Sequence, residues 1–113
     1  MTPTARTLNA LREAGHEADV VERWMFINGK PLVRKDLFGM FDVLALRGGR
    51  VVGIQCTDGG EGGHHANRRA KLLGNELLPK WLECADAEVW SWHKYAEAVK
   101  RRKWRPRVEA IVL

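Results

Sequence analysis

The chain predicts an α/β fold, a mixed central sheet flanked by helices, on three observations. Apolar residues recur at helical spacing near the N-terminus and again after residue 63. Segments rich in β-branched and aromatic residues lie between and beyond those two stretches. Glycine-bearing turns of the kind that close hairpins separate them. The implied order is αβββαβ with a short strand at the end.

Each element has a local reason. With Thr4 or Thr7 as N-cap, Ala5 to Ala14 sets Leu8, Leu11 and Ala14 along one side and stops at Gly15, as a short amphipathic helix does. Val20 to Ile27 reads as one strand closed by Asn28-Gly29. Asp42–Leu46 and Val51–Thr57 form a hairpin through Arg47-Gly48-Gly49-Arg50. After the glycine-rich stretch 59–63, Ala66, Ala70, Leu73 and Leu77 form a stripe expected to pack on the sheet. That leaves Asn67, Arg68, Lys71 and Asn75 on the opposite side, and Pro79 disturbs or ends the helix. Ala87 to Tyr95 alternates like a strand, and Arg107 to Val112 reads as a short edge strand.

The 113 residues, 45% of them hydrophobic, fit a single domain over 1–113 with a basic C-terminal segment, 94–113. No apolar run approaches the ~20 residues of a membrane span. Two cysteines, Cys56 and Cys84, do not make a disulfide framework, so an intracellular, cytoplasmic setting is expected. Charge is unevenly placed: residues 1–93 are balanced, whereas 94–113 hold seven basic and two acidic side chains. Lys100, Arg101, Arg102, Lys103, Arg105 and Arg107 surround Trp104 there, a pattern that suits a polyanion, with Arg68 and Arg69 on the second helix as further phosphate contacts.

Period-two alternation puts Gln55 and Thr57 on one face of their strand and Ile54 and Cys56 on the other, with Asp42 on the neighbouring strand in reach of Gln55. Asp36 lies six residues before Asp42, and Gly39 lets the chain turn between them. Oxygen ligands from Asp42, Gln55 and Asp36 suit Mg²⁺, with Mn²⁺ as the alternative. Such an ion polarises a phosphodiester and lowers the pKa of attacking water. The plainer readings are a turn-capping Asp42, a solvated Lys35-Asp36 loop and a Gln55 whose amide merely has partners.

The element order, the Asp opening the second strand, Asp-Leu-Phe-Gly at 36–39 and Gly-Ile-Gln-Cys-Thr at 53–57 together resemble the PD-(D/E)XK nuclease superfamily, whose members include small phage and bacterial Holliday-junction resolvases. The resemblance spans about residues 5 to 95. It implies a restriction-endonuclease-like core that cuts or binds branched or double-stranded DNA, commonly as a homodimer. Position by position, Asp42 matches the metal-binding aspartate, with Phe41 where proline is usual. Gln55 replaces the second acidic ligand, and Thr57 stands where the lysine belongs. Lys71 or Lys35 would then supply that charge, and Glu22, in preference to Glu13, a further carboxylate. A nuclease-like fold that binds nucleic acid without cutting it is the rival expectation.

His64-His65 lacks the partners of a zinc site, and the 59–63 stretch lacks the Gly-Lys-Ser/Thr ending of a phosphate loop. Of the tryptophans, Trp24 and Trp81 are expected in the core. Trp90 and Trp92 are expected to cover the sheet or a dimer contact, and Trp104 to stack on a base or brace the tail.

Overall fold

A computed structural model describes residues 1–60, 62–96 and 102–113. Its elements are α1 (Pro3–Glu13), β1 (Glu17–Val20), β2 (Arg23–Ile27), β3 (Lys30–Lys35), β4 (Val43–Arg47), β5 (Arg50–Asp58), α2 (His64–Leu73), α3 (Leu78–Leu82), β6 (Asp86–Ala96) and β7 (Arg102–Ala110). Five strands form a mixed sheet in the order β1-β4-β5-β6-β7, with β5 and β6 parallel and the other pairs antiparallel. The parallel pair needs a crossover, which carries α2 and α3. Strands β2 and β3 make a separate hairpin.

Alternation along the strands feeds two apolar layers. On one face Val43, Ala45, Val52, Ile54, Cys56, Trp90 and Trp92 pack with Leu11 of α1. On the other Phe41, Ala87, Val89 and Ile111 pack with Leu72 and Leu78 of the crossover helices. The Trp92 indole donates to Thr7 Oγ1 at 2.8 Å, so the only polar atom of that ring is paired under α1. Trp90 and Trp92 therefore belong to the core and not to a dimer contact. Helix α1 is capped by Thr2, whose hydroxyl accepts from the Ala5 amide at 3.1 Å with Pro3 in the first turn, ahead of the expected caps Thr4 and Thr7.

Several expectations are corrected. The strand expected over 20–27 is two strands, because the Val21 amide donates to the Asp42 carbonyl at 2.9 Å and the chain then leaves the sheet to pair with β3. Strand β3 was hidden by Pro31, which is tolerated here in a two-stranded ribbon with a register shift between Met25 and Phe26. Trp24, expected in the core, is 49% exposed on that ribbon, whereas Trp81 is half-buried against Phe41. The inner face of α2 carries His65 and Leu72, while Ala66, Ala70, Leu73 and Leu77 are exposed. His65 can be buried because its ring bonds Ser91 Oγ at 2.6 Å and Glu109 Oε1 at 2.8 Å. Gly74 ends α2, and Pro79 opens α3 instead of closing its predecessor. Strand β7 begins at Arg102, five residues before the expected start.

Gly53 is where a side chain cannot be accommodated: a Cβ there would lie 2.7 Å from the ring of fully buried Phe41. Gly53→Ala is expected to cost about 1–3 kcal/mol, read as a lower urea midpoint at unchanged slope; an unaltered midpoint would mean that Phe41 repacks freely.

Candidate metal and nucleic-acid site

A tight turn builds the acidic half of the site. The Met40 amide donates to the Leu37 carbonyl at 2.9 Å, and Phe38 and Gly39 both sit at positive φ, 55° and 71°. This is the mirror-image hairpin turn, which glycine enters freely and phenylalanine does not. Leu37 and Phe41 bridge below it, so Asp36 and Asp42 emerge side by side. Glu22, at the point where the chain leaves β1 for the hairpin, completes the group. Glu22, Asp36 and Asp42 each place a carboxylate oxygen within 4.8 Å of the others.

Strand β5 and helix α2 supply the rest. Asp42 Oδ2 accepts from Gln55 Nε2 at 2.7 Å and from the Cys56 amide at 2.9 Å. Gln55 Oε1 accepts from Lys71 Nζ at 3.1 Å, and the same ammonium donates to Asp36 Oδ2 at 2.8 Å. Lys71, itself exposed, thus reaches the carboxylates with its ammonium, correcting its expected side of the helix: the inner face runs through His65 and Leu72, and Lys71 borders it. Gln55 is buried with both ends of its amide engaged, which makes it a bridge between Asp42 and Lys71; Glu22 provides the third carboxylate. Thr57 is buried and lines the same cleft, about 470 Å³, with Glu22, Arg34, Asp36, Arg68 and Lys71. Lys35 and Glu13 are exposed and do not line it.

Burial, the adjoining Asp36 carboxyl and its charge push Asp42 up to about 8, against the bond from the Cys56 amide. Burial also works against ionised Asp36, but the hydrogen bond from Asp42 and the Lys71 ammonium outweigh it and hold Asp36 below its usual value. Asp42 is therefore the harder of the two to ionise, and Asp36 the easier. Cys56, on the far face of β5, is raised to about 12 by burial and is a small core residue, as expected. The donor set is oxygen only and close together, which fits a hard divalent cation.

The Asp42 shift has a consequence for stability. A carboxyl whose pKa rises on folding favours the native state fully below its unfolded value, 3.8, and that contribution is lost as pH climbs through about 8. In chelator, the melting temperature should therefore fall by roughly 5 °C or more from pH 5 to 8.5. A flat profile would mean that Asp42 ionises normally.

Registers place the basic strand relative to this site. Thr57 lies beside Ser91, and Ser91 beside Arg107; Gln55 lies beside Val89, and Val89 beside Glu109. Lys103, Arg105 and Arg107 therefore stand on the sheet face that carries Gln55 and Lys71. Arg105 stacks on Tyr95 at 3.9 Å, and Arg69, half-exposed, donates to Glu109 at 2.8 Å. Trp104 points to the α1 face, half-buried between Arg6 at 3.8 Å and Lys94 at 4.9 Å, which favours bracing over base stacking. Lys100 and Arg101 lie outside the described residues. His64 bonds Asp58 at 2.5 Å while His65 turns inward, so the two do not converge on one ion. Among the described residues no helix is long and apolar enough to cross a membrane.

No family model matches the chain, and neither does any curated protein or solved structure.

Proposed function

We propose that the chain is a divalent-cation-dependent DNA endonuclease with a restriction-endonuclease-like core, acting on branched DNA of the Holliday-junction type. The observation that carries this is the chain of contacts Asp36–Lys71–Gln55–Asp42 at the floor of one open cleft, with Glu22 beside it. A lysine ammonium touching acidic oxygens supplies from a helix the charge that Thr57 cannot supply from β5.

Glu22, Asp36 and Asp42 would hold Mg²⁺ or Mn²⁺. When bound, the ion polarises the phosphodiester and lowers the pKa of the attacking water. The protein's own groups do the remaining work. Gln55 fixes the orientation of the Asp42 carboxyl while its oxygen holds Lys71 in place. Water adds to phosphorus and gives up a proton to solvent, the bond to the leaving sugar oxygen breaks as that oxygen takes up a proton from solvent, and the negative charge that builds on the phosphoryl oxygens is matched by Lys71. Arg68, with Lys103, Arg105 and Arg107 on the same side of the sheet, neutralises flanking phosphates. Symmetric resolution of a four-way junction requires two such centres, so the working unit is taken to be a homodimer.

Binding without cleavage is the second reading, favoured by an amide at position 55 and a hydroxyl at 57. One assay separates them: labelled four-way junction and matched linear duplex, each with Mg²⁺, with Mn²⁺ and with chelator. Metal-dependent cuts in the junction alone support the resolvase. Equal cutting of both supports a general nuclease, and tight binding with intact strands supports the binding protein.

A further inference from the structure

The β2–β3 hairpin is unexplained by the site it adjoins. It has no extensive packing against the body, and Trp24, Met25, Phe26 and Val33 are between 43% and 64% exposed on it. An isolated hairpin of this length is marginal in water, so its exposed apolar surface calls for a partner. Charge identifies the partner's chemistry. Residues 23–35 contain Arg23, Lys30, Arg34 and Lys35 and no acidic residue. Arg23 is paired directly with Lys35 across the two strands, an arrangement of like charges that destabilises the hairpin unless an anion lies over it. A second copy of the same cationic arm would add to that repulsion, whereas a polyanion relieves it.

The position of the arm matters as much as its charge. It is inserted between two members of the acidic trio: Glu22 is the residue before β2, and Asp36 the residue after β3. Arg34 ties arm to cleft, pairing with Glu22 at 3.3 Å while lying 4.9 Å over the Trp24 ring. Whatever the arm grips is held next to those carboxylates.

We propose that this hairpin is a nucleic-acid wedge. Arg23, Lys30 and Lys35 hold phosphates of one strand, and the side chain of Phe26, the most exposed aromatic of the arm, presses on a base face opened at a branch, while Trp24 under Arg34 braces the arm and seats the backbone over Glu22 and Asp36. The inference rests on the nuclease reading and extends it by assigning the part that recognises unstacked DNA.

The test uses the full chain in chelator, a fluorescent four-way junction, and the same junction with 2-aminopurine at the branch. Wild type should bind and raise the 2-aminopurine signal. Phe26→Ala should bind about tenfold more weakly, with the salt dependence kept and the 2-aminopurine signal lost. Arg23→Glu with Lys30→Glu should weaken binding by tenfold or more and flatten the log–log salt slope by about two. That second variant removes the like-charge pair, so it should fold at least as well as wild type, and circular dichroism checks this. Unchanged affinity, slope and 2-aminopurine signal in both variants, with wild type binding and cutting DNA, would overturn the wedge alone. No DNA binding by wild type would overturn the nuclease reading and the wedge with it. Conversion of a dimer to a monomer by Phe26→Ala in sedimentation without DNA would make the hairpin a contact between copies and overturn the proposal.

Discussion

Lys71→Met should lower the rate of metal-dependent junction cleavage by about 10²–10³-fold or more while leaving junction affinity within about threefold, because charge stabilisation in the transition state is lost and only one of many cations is removed. The split follows from where the ammonium sits. It donates to Asp36 at 2.8 Å and to Gln55 at 3.1 Å, at the floor of the cleft, whereas the outer cations stand on β7. Lys71→Arg tests the same point with charge retained: a planar fork replaces a compact donor between two acceptors, so partial activity is expected. Single-turnover rates and anisotropy titrations on one junction give both quantities. Full activity in Lys71→Met would remove Lys71 from the mechanism and with it the account of how the fold manages with Thr57.

Asp42→Asn should produce the larger loss, about 10³-fold or more in cleavage, since it removes a ligand charge from the centre of the trio. It should also make the metal-free protein more stable at pH 8. The amide oxygen of asparagine can still accept from Gln55 Nε2 and the Cys56 amide, so the local geometry has a means of surviving. What disappears is the carboxylate that burial and Asp36 make costly to ionise. The fall in melting temperature between pH 5 and 8.5 seen in wild type should flatten in this variant, while the acid-side loss expected from Asp58 and Glu109, both held low by hydrogen bonds to histidine, should remain. A variant that loses cleavage but keeps the wild-type pH slope would show that another group titrates there.

The sheet part of the site is legible in the sequence, because a period of two leaves little freedom once a strand is placed. Gln55, Thr57 and Asp42 meet as expected, and Cys56 turns to the apolar side. Helix α2 was misjudged for a physical reason. Counting apolar residues selected the Ala66, Ala70, Leu73 and Leu77 stripe, but the buried face is set by Leu72 together with His65, a polar residue satisfied by Ser91 and Glu109. No hydrophobicity pattern registers a histidine with two buried partners, and rotating the helix to that face is what brings Lys71 inward. Strands β2 and β3 escaped division and notice because one bears Pro31 and both carry apolar residues facing solvent. The start of β7 was obscured by consecutive Lys and Arg, residues that ordinarily argue for a solvated tail.

That the C-terminal cations belong to a pleated strand gives them fixed phase and pitch. Alternate residues on a strand are about 6.8 Å apart. Lys103, Arg105 and Arg107 therefore stand at a fixed interval on one face, held to the sheet by the β6 ladder. Slipping that ladder by a single residue would turn all three charges over to the α1 side, so the face on which they stand is set by the backbone hydrogen bonds of an edge strand.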